Sequence, residues 1–340
     1  MYFDLGQVEL KNGERVQVAA VLAPDDKWSG RLQHLLGHKG EAWRHQIREL
    51  LRPEAQGQGV ETFFYILHRE GAAFSNIMTV EKSGVGVLGH VFTQPEERQK
   101  GAASHLMGAA LKHFRQRGGR ALYLSTGFNS SAFRIYASHG FESVEPGSGV
   151  MSFTTVPKAR FEEEYFAPGE ASIVPLSWAG WATASALFTG SFEGVVRNVQ
   201  FKLLGRKLTE DPLLQAVEDE HQRLEAGESP QTLALQKPDG AVVGLASWGW
   251  HPLWPSACLI DVYCHPNFWN RAPQLLQELK IPASQRLIAY DDLPKSPKAR
   301  SLQEAGFERV ATLPQWITAD YLQTQPRDVV VWSKVPATAP

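Results

Sequence analysis

"VFTQPEERQKGAASHLMGAALKHF", residues 91–114, begins as a strand and ends as a helix, with a charged, glycine-containing turn between them. Leu106, Ala110, Leu111 and Phe114 recur at helical spacing, and Gly118-Gly119 closes the helix. The turn "RQKGAA", which spans Arg98, Gln99, Lys100, Gly101, Ala102 and Ala103, fits Arg/Gln-x-x-Gly-x-Gly/Ala. A helix start offers amides without internal partners, and the helix dipole favours an anion there. Gly101 lets the backbone approach a ligand, while Ala102, Ala103 and Ser104 supply first-turn amides. Arg98 and Lys100 add positive charge suited to a diphosphate. The same pattern recurs in "QRGGRA", residues 116–121, but there a helix ends and a strand begins, so amides do not converge. The alternative for the first copy is a solvated loop topping a helix.

The flanking sequence alternates strand and helix. Residues 15–22 read as a strand, 26–38 and 41–53 as helices, with Trp43, Ile47 and Leu50 on one stripe and Pro53 as a stop. Strands follow at 61–70, 72–84 and 85–93, and after the turn and its helix come a strand at 121–126 and a helix capped by Asn129 or Ser130. Helices between strands mark an α/β layer fold. Residues 165–177 read as a linker into a new first strand. The order then repeats, with a hairpin turned at Asp239-Gly240, a strand at 257–266 and helices at 272–280 and 296–307. "SSAFRIYASHGFESV" lies over "SPKARSLQEAGFERV": a capped helix, Gly-Phe, then a strand. This is an internal duplication, giving domains at 1–160 and 161–340.

The run of strand, turn, helix and strand, followed by "NSSAFRIYASHGF", resembles the GNAT superfamily of N-acetyltransferases. Asn129, Ala132, Tyr136, Gly140 and Phe141 meet its Asn-x-x-Ala-x-x-x-Tyr-x-x-x-Gly-Phe pattern. The resemblance covers about residues 10–150 and is strongest between 85 and 144. It implies two tandem GNAT-like acyl-CoA N-acyltransferase domains, each a mixed sheet flanked by helices, the first catalytic and the second degenerate. It places the acetyl-CoA pyrophosphate on residues 98–104, pantetheine along Val91, Phe92 and Thr93, and Asn129 and Ser131 at the cofactor. Tyr136 is implied as general acid at the thioester sulfur; a core tyrosine is the plain alternative. His90 is the candidate base, since an imidazole near its ordinary pKa of ~6.5 suits amine deprotonation. Strand alternation could instead turn His90 into the core, and a water chain could replace it. Helices 26–52 are implied to border the acceptor, with Trp28, His34, His38, Trp43, Arg44, His45 and Arg48. Arg44, Arg48 and Arg52 share one helical face, either solvated surface or a lean toward an anionic acceptor.

In the second half "NFWNRAP" lacks the glycine, places Phe268 and Trp269 at the turn and puts Pro273 near the helix start. One acetyl-CoA per chain is therefore expected. Of ten tryptophans only Trp28 and Trp43 precede residue 170, so aromatic surface is concentrated in the second half. Trp248 and Trp250 share a strand face, as core or interface or as an aromatic wall for the acceptor. Lys plus Arg is 34 against 36 Asp plus Glu, which argues against nucleic acid and against electrostatic membrane attachment. No apolar run spans a bilayer and the N-terminus lacks a signal peptide. The two cysteines, Cys258 and Cys264, read as buried thiols of a cytoplasmic protein, without a disulfide or a metal; Cys264-His265 has no second ligand pair. The expected protein transfers an acetyl group from acetyl-CoA to an amine acceptor, as a monomer or homodimer. The alternative is a non-catalytic acyl-CoA sensor or scaffold.

Overall fold

The computed structural model describes residues 1–53, 57–293 and 295–336. The chain divides into two units, Met1–Ser143 with Gly149–Phe161, and Val144–Ser148 with Glu162 onward. The first holds an eight-stranded sheet: β1 (Tyr2–Glu9), β2 (Arg15–Leu22), β3 (Glu61–Arg69), β4 (Ala72–Lys82), β5 (Val85–Thr93), β6 (Ala121–Ser125), β7 (Glu142–Ser143) and β8 (Val150–Thr154). Their order is β1-β2-β3-β4-β5-β6-β8-β7. Only β5 and β6 are parallel; the other neighbours are antiparallel.

β1 has no counterpart in the sequence reading, because its signal is weak. It is a largely exposed edge strand, and a bulge between Asp4 and Gln7, with Gly6 at φ +94°, breaks its alternation.

The helices are α1 (Asp26–Leu35), α2 (Glu41–Leu50), α3 (Ala102–Gln116) and α4 (Ser131–Ser138), with α5 (Lys158–Tyr165) after the sheet. Helix α3 buries Leu106, Met107, Ala110, Leu111 and Phe114, which join Phe63, Tyr65 and Leu67 of β3 in one core. The alternate residues Phe64 and Ile66 are also fully buried, so β3 is covered on both faces. Beyond α3, Arg117 donates to both carboxylate oxygens of buried Glu81, each at 3.0 Å. Burial pushes the Glu81 carboxyl above its ordinary value, and Arg117 opposes the shift. Gly119, in the second copy of the turn pattern, is hemmed in: a Cβ there would meet the Phe114 ring at 2.4 Å.

The second unit carries β9 (Ser172–Pro175), α6 (Trp178–Thr189), β10 (Val196–Asn198), β11 (Leu203–Leu204), α7 (Leu214–Glu225), β12 (Thr232–Gln236), β13 (Val242–Trp250), β14 (Ala257–Cys264), α8 (Ala272–Glu278), β15 (Arg286–Asp291), α9 (Pro297–Glu304), β16 (Glu308–Thr318) and β17 (Pro326–Lys334). Its seven-stranded sheet runs β16-β17-β15-β14-β13-β12-β9, with only β14 and β15 parallel. Strands β9, β12, β13, β14, β15, β17 and β16 thus repeat the places of β2, β3, β4, β5, β6, β8 and β7. The capped helices repeat in detail. Ser130 Oγ accepts from the Phe133 amide at 3.1 Å, and Ser296 Oγ from the Ala299 amide at 2.8 Å. Both helices end on left-handed glycines, Gly140 at φ +93° and Gly306 at φ +83°.

Replacing Arg117 with Leu strands Glu81 as an unpaired buried carboxylate, and should cost about 3 kcal/mol of stability. Urea unfolding of the full chain measures this; Glu81→Leu added to it should recover part of the loss. A single-variant loss below about 1 kcal/mol would show that the pair does not hold α3 to the sheet.

Candidate functional site

The parallel pair β5–β6 is short. It makes the pairs Val85↔Ala121, Gly86↔Leu122 and Val87↔Tyr123 and no further ones. On its other edge β5 pairs with β4, and the register shifts: Asn76 faces Phe92 and Met78 faces Gly89. Ile77 therefore stands opposite both His90 and Val91, a bulge with His90 at φ +48°. From Leu88 onward β5 has one edge that no strand covers among the described residues. Val91, Phe92 and Thr93 lie on it, half-buried.

At the end of this edge stands the turn. Gln99 has φ +65° and Gly101 φ +84°, and Lys100 between them does not share the positive region. Such alternation of hand gathers successive amides into a concavity for an anion. The amides of Gly101, Ala102 and Ala103 make no hydrogen bond among the described residues. Ser104, expected as a further donor, does not serve: its amide donates to the Gly101 carbonyl at 3.1 Å. The basic side chains are partly engaged. Arg98 Nε donates to the Thr93 carbonyl at 3.1 Å, and Lys100 Nζ pairs with Glu97 at 3.1 Å. Glu97 also binds Arg69, which pairs with Glu14, so Lys100 helps to pin the turn. A Cβ at Gly101 would find only ordinary contacts; its glycine serves the left-handed backbone.

His90 departs from its expected role. It is 8% exposed, its Nε2 donates to Gln46 Oε1 at 2.8 Å, and its ring meets that of Trp43 edge-to-face with centroids 5.4 Å apart. Burial, with Lys39 and His38 adding to it, pushes the imidazole down to about 3. A ring held neutral this firmly does not gather a proton at neutral pH, so the property that recommended His90 as a base is gone. Beside it, Gln46 Nε2 and Asn76 Oδ1 are buried without a hydrogen-bond partner.

Tyr136 is 7% exposed, with its ring 6.0 Å from Phe141, and it belongs to the core beneath α3. Its aromatic body packs as the plain alternative supposed. Ser130, not Asn129, caps α4; Asn129 precedes it at φ +57° and Ser131 opens the helix. Between α1 and α2, His38 packs tilted against Phe92 with ring centroids 4.0 Å apart. Arg44 and Arg48 both pair with Glu41, and Arg52 with Glu49, so that arginine face is surface and gives no lean toward an anionic acceptor.

Residues 27–157 match the family model of the acetyltransferase (GNAT) domain. The similarity to a GNAT domain thus extends over 131 of the 340 residues. Similar solved structures include a ribosomal-protein-alanine N-acetyltransferase from Brucella melitensis, 19% identical, with 48% of this chain and 99% of that one covered and a TM-score of 0.34. An N-acetyltransferase from Staphylococcus aureus is 18% identical over 49% of this chain and 99% of that one, with a TM-score of 0.36. The PaiA N-acetyltransferase from Thermoplasma acidophilum, solved with coenzyme A, is 16% identical over 40% of this chain and 98% of that one, with a TM-score of 0.30. No curated protein matches the chain. No helix among the described residues is long and apolar enough to cross a membrane.

The second unit treats the places equivalent to the GNAT site differently. β14 and β15 also part early, after Leu259↔Ile288, but β14 pairs with β13 from Cys258 to Cys264 without a shift. Residues 195–199 are held by the acids of these strands. Asp292 Oδ1 accepts from the amides of Val195 and Val196 at 2.8 and 2.9 Å, and Asp261 Oδ2 from that of Val199 at 2.6 Å. Buried Lys298 bridges Asp261 at 2.5 Å and the Val196 carbonyl at 2.9 Å. The turn after β14 is a 3-10 segment, Pro266–Arg271, with Phe268 buried, and α8 behind it has only seven residues, including Pro273. Cys264-His265 is structural: His265 Nδ1 accepts from the Asn267 amide. Sequence alone gave no sign of the acids at 261 and 292 as a clasp, because their partners lie about 60 to 100 residues away.

A histidine that folds neutral must charge when the chain unfolds in acid. The unfolded chain takes up that proton below pH 6.5 and the folded one only near pH 3, so stability falls as pH drops through that window, by up to about 1.4 kcal/mol per pH unit for one histidine. His90→Gln should unfold in urea with a shallower pH dependence between about pH 4 and 6. An unchanged pH dependence would mean His90 is not held neutral.

Proposed function

We propose that the chain is an acetyl-CoA-dependent N-acetyltransferase that moves an acetyl group to a primary amine, with its one active site in the first unit. The observation that carries this is the pairing of a turn with unpaired amides, Gln99 to Ala103, with the uncovered edge of β5 immediately before it. Pyrophosphate at the turn sends the pantetheine arm along Val91, Phe92 and Thr93. Backbone groups of that edge hold the arm as a strand would and polarise the thioester carbonyl. Transfer forms a bond from the amine nitrogen to the acetyl carbon and breaks the carbon–sulfur bond. Tyr136 protonates the departing thiolate, and Asn129 and Ser131 border the cofactor. The amine proton leaves through water, since His90 stays neutral, and His90 with Gln46 instead fixes the bulge.

A second reading has specific support: Tyr136 and His90 are both buried, as suits an acyl-CoA sensor that catalyses nothing. Release of free thiol in the presence of an amine panel separates the two readings.

Gly101→Asp puts a carboxylate and a Cβ into the turn, and acetyl-CoA affinity should fall by at least ~2 kcal/mol, or about 30-fold. Gly119→Asp is no control, because it would strike Phe114. Gly169 is open, with nothing within 4 Å of a Cβ, so Gly169→Asp should leave the affinity unchanged. Equal losses in both variants, by calorimetry on folded protein, contradict the turn assignment.

Tyr136→Phe should lower turnover about 10²-fold with acetyl-CoA affinity kept. Unchanged turnover would leave Tyr136 a packing residue only.

A further inference from the structure

The second unit carries a concave apolar site that the transferase reading does not use. It lies between the hairpin β16–β17 and the outer face of β14–β15 and encloses about 630 Å³. That volume falls within the roughly 300–1,000 Å³ typical of small-molecule sites. Leu259, Ile288 and Val331 form its floor, and Trp254 and Trp316 stand on its walls, 53% and 69% exposed. The wall is shaped for the purpose. In a regular strand neighbouring side chains face opposite ways, yet Trp316 and Ile317 both line the groove. A register shift between Leu313 and Ile317, with Gln315 at φ +56°, turns them to the same side. His251 braces the opposite wall: its Nδ1 accepts from the Leu253 and Trp254 amides, and its ring packs tilted against that of Trp254, centroids 4.0 Å apart.

The charge of the lining selects the occupant. No Asp or Glu lines the groove, but Lys202 and Arg286 do. Among the described residues neither is paired with a carboxylate; Arg286 Nη1 donates to Ser333 Oγ at 3.2 Å. A wholly apolar occupant would draw two cations out of water without a counter-charge. We propose that this groove binds an elongated apolar molecule that ends in an anionic group, with the chain against Leu259, Ile288 and Trp316 and the anion at Arg286 and Lys202.

The test is titration of the full chain with dodecanoate, dodecylamine and dodecanol below their aggregation limits, followed by tryptophan fluorescence. Dodecanoate should saturate one site, with dodecylamine about tenfold weaker or worse, the scale of a charge-assisted contact. The exposed double variant Lys202→Glu with Arg286→Glu should reverse that order, and Trp316→Ala should weaken dodecanoate. Equal affinity for all three probes, or an order that survives the double variant, overturns the proposal. So does failure to bind dodecanoate in a chain that sedimentation shows to dimerise and that Trp316→Asp renders monomeric, since the groove would then be an interface between copies.

Discussion

Every backbone amide and carbonyl that a sheet leaves unpaired must find another partner, and each unit of this protein parts its one parallel strand pair after only three residue pairs. The two halves answer that constraint in opposite ways. In the second unit a segment of the chain occupies that place: the backbone of residues 195–199 is held by the carboxylates of Asp261 and Asp292, and Lys298 ties acid and backbone together. In the first unit no protein segment takes that place among the described residues, and the strand edge runs straight to a turn whose amides are also without partners. Under the proposed function, a ligand with an extended arm and an anionic end would complete both.

The bulge at His90 and Val91 links this opening to the rest of the first unit. It bends β5 and aims the His90 ring at Gln46 of α2, a buried polar contact far apart in sequence. The turn at Gly101 is likewise fixed from several directions, by Lys100 to Glu97, Glu97 to Arg69, and Lys11 whose amide donates to the Lys100 carbonyl at 3.0 Å. Catalysis of group transfer depends on such preorganisation more than on any single strong base.

Much of this was legible in the sequence. The order of strands and helices, the internal duplication and the turn could be read because each rests on local spacing: helical recurrence in α3, cap residues such as Ser296, the left-handed glycines at 140 and 306. Context also distinguished the two copies of the turn pattern: the first opens α3, and the second, at residues 116–121, follows its end. The failures are those of local reasoning. β1 is polar and broken by Gly6, so its alternation is weak. His90 looked like a base because its burial against Gln46 and Trp43 is a tertiary fact. Ser104 looked like a free donor because the 3-10 character of the first turn is not encoded in residue type. The groove of the second unit depends on a bulge at Gln315 and on segments brought together from residues 196 to 333, which no spacing rule anticipates.

The central claim is that one strand opening is left for a ligand and the other is closed by the chain itself. The most direct measurement is the stoichiometry of acetyl-CoA bound to the full chain, by calorimetry at protein concentrations well above the dissociation constant. One equivalent per chain is the result this account predicts. Two equivalents would show that residues 195–199 yield to the cofactor, and no saturable binding would show that the turn at Gly101 is not a pyrophosphate site; either result contradicts it.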